Sequence, residues 1–129
     1  CLKAKILQIK EININEFIGY NQTFKTKSKI KVAILGIGYA DGISRSLSNK
    51  GSVFYKKKIF KIIGRVSMDT ITIDITKDYK LIKEGSYMEL INHKYGIDYM
   101  AKQSNTICDE ILTSISKRVK RVYEWKNIR

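Results

Sequence analysis

Short stretches of alternating apolar and polar residues dominate most of the chain, and a longer period takes over near its end. "LKAKIL" puts Leu2, Ala4 and Ile6 on one face of a strand, and the alternation slips at Leu7, which predicts a bulge. "KIKVAILGIG" is a nearly continuous apolar run closed by glycines and predicts a buried strand. "SLSNKGSVFY" opens with a Ser-Asn-Gly cluster, read as a turn between strands, and "FYKKKIFKIIG" reads as a strand pair or hairpin edge. In "TITIDIT", Ile71, Ile73 and Ile75 face inward, and Thr70, Thr72, Asp74 and Thr76 face out. "IKEGSYMELIN" is a turn at 83–85 followed by a strand. In "GIDYMAKQSNTICDEILTSIS" the apolar positions Ile97, Met100, Ala101, Ile107, Ile111, Leu112 and Ile115 follow helical spacing, with Asp98 as the expected N-cap. A last strand, "KRVKRVYEW", is expected to close the chain. Many short strands with turns between them and one or two short helices predict a mainly β domain, a Greek-key-like barrel.

Length and composition narrow this picture. The 129 residues make one domain, and a hydrophobic share of 43% suffices for one modest core. No apolar run approaches the about 20 residues that cross a bilayer, and "CLKAKILQIK" lacks the continuous apolar region of a signal peptide. The sequence starts at Cys1, so a piece of a longer protein is expected. Cys1 and Cys108 have no metal-ligand spacing and suggest no disulfide framework, which points to a reducing, cytoplasmic setting.

The net charge of +13 raises the question of nucleic acid. The cations are 20 Lys against 5 Arg, spread along the whole chain, beside 22 Ile and no Pro. Specific phosphate recognition favours Arg, so the lysines read better as a solvated surface. The alternative is a non-catalytic basic barrel that binds single-stranded RNA or DNA, with Phe54, Tyr55 and Phe60 in "FYKKKIF" stacking on bases.

The candidate chemistry is narrow. "GIGYADG" fails as a dinucleotide fingerprint, because Asp41 stands where the third glycine belongs and no βαβ unit surrounds it. His93, the only histidine, lies in the turn sequence "NHKYG" and reads as a solvated loop residue, so no Ser-His or Cys-His pair and no zinc site is expected. Proton chemistry would fall to tyrosine, of which there are eight. A phenol starts near ~10 and acts as a base only where neighbours stabilise the phenolate. Tyr20 in "FIGYNQTF" and Tyr39 in "GIGYADG" each follow a glycine at the expected edge of a strand; by pattern alone both are ordinary half-buried strand tyrosines.

"GYADGISRSLSNKG" followed by "IIGRVSMDTITIDIT" resembles the C-terminal domain of alanine racemase, in order and in spacing. "IGYNQTF" upstream and "KEGSYMELI" and "ILTSISKRVKRVY" downstream extend the resemblance from Leu2 to Tyr123. It implies a pyridoxal 5′-phosphate enzyme that interconverts L- and D-alanine and supplies D-alanine for the cell wall. It further implies an N-terminal barrel, absent here, that carries the cofactor on a lysine, and a head-to-tail homodimer in which each C-terminal domain completes the partner's site. Racemisation needs a base on each face of the substrate Cα. The barrel lysine is one, and by similarity Tyr20 is the other. By the same carry-over, Met68 presents its backbone N–H to the substrate carboxylate, Tyr39 lines the inner mouth of the substrate channel, and Arg45 and Arg65 lie further out and favour an anion. Asp41 and Asp69 hold these arginines or loops in place, although Asp69 reads equally well as a turn residue before a strand. Where the family carries a tyrosine that contacts the cofactor phosphate, this chain has Asp109, which a phosphate would repel, and no binding role is assigned to it. Serine or a broader amino-acid set is an alternative substrate. Some decarboxylases share the two-domain plan, but "GRVSMD" points to the racemase branch. The chain alone is expected to be inactive.

Overall fold

The structure, a computed structural model, describes residues 2–13, 17–18, 24–25, 28–92 and 94–104. Among the described residues the strands are β1 (Leu2–Ile12), β2 (Phe17–Ile18), β3 (Phe24–Lys25), β4 (Ile30–Leu35), β5 (Ser52–Tyr55), β6 (Lys58–Ile63), β7 (Ile71–Asp74) and β8 (Tyr87–Ile91), and the α-helix α1 spans Ile97–Ser104. Six strands close an antiparallel barrel in the order β1-β4-β7-β6-β5-β8, and β2 and β3 form a separate two-stranded ribbon. β5, β6 and β7 are consecutive neighbours and β8 returns beside β5, which is the Greek-key arrangement.

β1 closes the barrel because it is long enough to serve two neighbours. Its first half pairs with β8 (Ala4↔Met88) and its second half with β4 (Ile9↔Ala33). The register shifts between Ile6 and Gln8, at the phase slip in the sequence, and leaves Leu7 pointing outward and half exposed. Before that point Leu2, Ala4 and Ile6 point into the core, beside Ala33, Leu35, Val53, Ile62, Ile71, Ile73, Met88 and Leu90. Ile75, just past the end of β7, is buried as its pattern predicts.

Two expectations need correction. Asp98 is not the N-cap: the helix begins at Ile97, so the carboxylate lies within the first turn, where it still faces the positive end of the helix dipole. Phe54 and Phe60 are buried and cannot stack on bases; the Phe54 ring already stacks on Tyr95, with centroids 4.2 Å apart and planes 3° from parallel. The internal partner removes the feature that favoured a nucleic-acid surface. Cys1, His93, Cys108, the later apolar positions of the helical pattern and the expected strand "KRVKRVYEW" lie outside the described residues. Among the described residues, no helix is long and apolar enough to cross a membrane.

Candidate functional site

The continuous apolar run ends at Leu35, and two loops meet beyond it. The first contains a 3-10 turn at Tyr39–Asp41, so Tyr39 sits past the strand rather than at its edge. The second joins β6 to β7 through Met68. The Tyr39 N–H donates to the Ser67 carbonyl and the Ala40 N–H to the Met68 carbonyl, both at 2.9 Å. This approach is possible because residue 38 is glycine: a Cβ there would fall 2.3 Å from the Ser67 oxygen and 2.5 Å from the Met68 oxygen. An Asp41 carboxylate oxygen accepts the Gly38 N–H at 2.9 Å, and Asp41 is itself buried. Gly42 then leaves the turn with φ 106°, a region that suits glycine.

Met68 is an exposed apolar residue on the second loop. Its side chain is half open to solvent, and its carbonyl is engaged by Ala40. Among the described residues its own N–H donates to nothing, so it remains available to an outside acceptor. Tyr39 is half-buried, and the Arg45 guanidinium carbon stands 4.2 Å from its ring centroid. That stacking holds a cation over the phenol face. Arg65 and Asp69 are exposed on the second loop, on either side of Met68 in sequence. The structure thus brings Tyr39, Asp41, Arg45, Arg65, Met68 and Asp69 onto one pair of loops. Tyr20 and Asp109 lie outside the described residues.

Ser48 and Asn49, read from sequence only as part of a turn, also join the two loops. The Ser48 hydroxyl donates to the Arg45 carbonyl at 2.6 Å and accepts the Val66 N–H at 2.9 Å. Asn49 Oδ1 accepts the Gly64 N–H at 2.6 Å, and the Asn49 N–H donates back to the Gly64 carbonyl at 3.1 Å. Ser and Asn beside glycine are a signal for side-chain-to-backbone bonding, but nothing local names a partner so distant in sequence. Chemically, the loops present an unengaged peptide N–H and carry the guanidinium groups of Arg45 and Arg65, donor types suited to a small carboxylate. Among the described residues, no group of His, Cys, Asp and Glu gathers in a way that could hold a metal.

Comparison with known proteins gives this arrangement a lineage. The chain is 39% identical over 127 residues to the alanine racemase of Brucella ovis, covering 98% of this chain and 32% of that protein. It is 44% identical over 121 residues to the alanine racemase of Acidiphilium cryptum, covering 94% and 34%. Among solved structures, that of alanine racemase from Bartonella henselae with covalently bound pyridoxal phosphate superposes with a TM-score of 0.91 at 39% identity, over 95% of this chain and 34% of that one. The chain therefore spans about a third of the length of the relatives it matches. Residues 1–123 match the family described as alanine racemase, C-terminal domain. Sequence motifs, barrel topology and relatives agree, and the chain belongs to the alanine racemase C-terminal domain family.

Proposed function

We propose that this domain forms one wall of the active site of a cytoplasmic, pyridoxal 5′-phosphate-dependent alanine racemase that interconverts L- and D-alanine. The working enzyme is a head-to-tail homodimer in which this domain faces the partner's N-terminal barrel. The observation that carries the reading is the Gly38-enabled contact between the two loops, which leaves the Met68 N–H free beside Tyr39 and Arg45. The donor set fits an amino-acid carboxylate brought close by the cofactor; the lysine that carries the cofactor belongs to the barrel. When bound, the cofactor draws electron density from the substrate Cα and acidifies its proton.

The chain's own residues then have separable tasks. The Met68 N–H orients the carboxylate, and because a backbone group does this, loop geometry matters more than the side chain at 68. Tyr39 narrows the approach, with Arg45 and Arg65 further out drawing the anion inward. Asp41 keeps the first loop closed through Gly38, and Asp69 sits beside the carboxylate donor on the second. Tyr20 removes or returns the Cα proton on the face away from the barrel lysine. One proton leaves from one face and one arrives on the other, so the reaction balances without a co-reactant.

The test uses the full-length enzyme with Tyr20→Phe. The two enantiomers have equal free energy, so kcat/KM must fall equally in both directions. The informative readout is exchange of each enantiomer's Cα–H with solvent deuterium before net inversion. Exchange is expected to survive for one enantiomer and to drop about a hundredfold or more for the other. Small, equal losses for both would remove Tyr20 from this role.

A further inference from the structure

We propose that Ser48 and Asn49 are positioning residues that lock Arg45 and Arg65 into one fixed arrangement, so that both cations address the same incoming carboxylate. This rests on the reading that these two arginines flank the substrate's path. Three of the four bonds that support it cross between the loops, and the fourth, from the Ser48 hydroxyl to the Arg45 carbonyl, ties that crossing to the turn that carries Arg45. The Ser48 hydroxyl bridges the Arg45 carbonyl and the Val66 N–H, and Asn49 and Gly64 exchange two hydrogen bonds. The residues immediately before and after Arg65 are therefore both tied to the segment that carries Arg45. The partners are 15 and 18 residues apart in sequence.

The clamp has backbone costs that a plain connector would avoid. Asn49 adopts φ 59°, in the left-handed region that Asn tolerates better than most residues, and Gly64 adopts φ 74°. The clamp is also braced from the far side. Gln103 of α1 donates to the Ser52 hydroxyl at 2.9 Å and to the Lys50 carbonyl at 3.4 Å, just after the Ser48–Asn49 pair. The Arg45 guanidinium is already held over the Tyr39 ring, and the cross-loop bonds fix the distance between the backbone positions from which the Arg45 and Arg65 side chains start. Locking both backbones to each other limits where the two charges can stand together.

The experiment is steady-state kinetics on the full-length enzyme carrying Ser48→Ala with Asn49→Gly; glycine keeps the positive φ while removing the acceptor. KM for both alanine enantiomers is expected to rise about tenfold with kcat within about twofold, because binding geometry and not the proton transfer is disturbed. In an Arg45→Ala/Arg65→Ala background the same substitutions are expected to add nothing, since no cations remain to be positioned. Calorimetric titration with acetate reads the carboxylate site without turnover and should weaken by a similar factor. Should the double variant fail to fold, Ser48→Ala alone is expected to raise KM about threefold, and Ser48→Thr, which keeps the bridging hydroxyl, to restore it. Unchanged KM in the clamp variants, or an equal effect with and without the arginines, overturns the clamp while leaving the arginine reading intact. If removing both arginines leaves KM and acetate binding unchanged, the arginine reading itself fails, and the clamp with it.

Discussion

Ile73 in the barrel wall and Gly38 in the loop pair are both hidden from solvent, for opposite reasons. Ile73 is buried because its side chain is apolar and the other core residues surround it. Gly38 is buried because it has no side chain, so two carbonyl groups of the opposing loop occupy the space. The wall gains from area removed from water, roughly 1.5–3 kcal/mol for a fully buried aliphatic side chain. The loops gain from directed hydrogen bonds whose worth depends on alignment, each contributing about 1 kcal/mol. A wall built on area tolerates shape changes that keep the volume, whereas a loop pair built on direction tolerates almost no displacement. Stability and function should therefore separate between the two regions.

The largest effects test that separation directly. Ile73→Ala leaves a cavity at the centre of the barrel and should lower unfolding free energy by about 4 kcal/mol. In the full-length enzyme, kcat/KM of the molecules that remain folded should stay within about threefold of the parent, because Ile73 makes none of the hydrogen bonds that join the two loops. Gly38→Ala should cost about 3 kcal/mol of stability, because the methyl group would meet backbone carbonyls that make way only if the loops part and lose their hydrogen bonds. It should nevertheless lower kcat/KM about a hundredfold, as the Met68 N–H moves with its loop. Urea unfolding and steady-state kinetics on the same two proteins decide the matter. If Ile73→Ala harms kcat/KM more than Gly38→Ala does, the loops are mere connectors.

The same contrast governs what could be read from sequence. "TITIDIT" alternates because one face of β7 is buried, so its inward residues were plain, and the slip at Leu7 marked the bulge in β1. Those signals lie within a few neighbouring positions. The loop contacts do not: Tyr39 meets Ser67, and Ser48 meets Val66, across the barrel end. No local period records such a pairing, and only the resemblance of "GYADGISRSLSNKG" and "GRVSMD" to a family brought the two loops together in advance. Phe54 and Phe60 failed the opposite way. Beside three lysines they looked like an exposed aromatic patch, but strand alternation sends Phe60 inward and a tertiary partner, Tyr95, covers Phe54.

A smaller effect is expected at the hairpin between β5 and β6, which belongs to the wall but is built like a loop. Lys56 and Lys57 both adopt positive φ, 45° and 66°, in a two-residue connection where Tyr55 pairs with Lys58. Such turns match the twist of the strands but favour Asn-Gly, because a long L side chain there costs about 1 kcal/mol or more. Lys56→Asn with Lys57→Gly should therefore stabilise the protein by about 1 kcal/mol, after the greater freedom of glycine in the unfolded chain is subtracted. Thermal unfolding of the double variant should shift upward by a few degrees (~4 °C), with alanine kinetics unchanged. A downward shift would mean that the lysine side chains contribute more to the folded turn than the strain removes.

The smallest effect separates surface charge from both regions. Glu11, on the solvent side of β1, lies 2.9 Å from the Lys29 ammonium, and both side chains are well exposed. The hydrogen bond from Lys29, aided by the charges of Lys29 and Lys31, holds the Glu11 carboxyl below its usual range. A carboxyl lowered on folding contributes stability that is present above its unfolded value and is lost as pH falls through the folded one. The parent should thus lose slightly more stability than Glu11→Gln on acidification below about pH 4.5. The difference should shrink as salt screens the pair. At neutral pH the two should unfold at nearly the same temperature, because exposed pairs are screened and leave two long side chains to be ordered. A large loss at neutral pH in Glu11→Gln would show that this wall leans on surface charge, and the contrast between area and direction would need a third term.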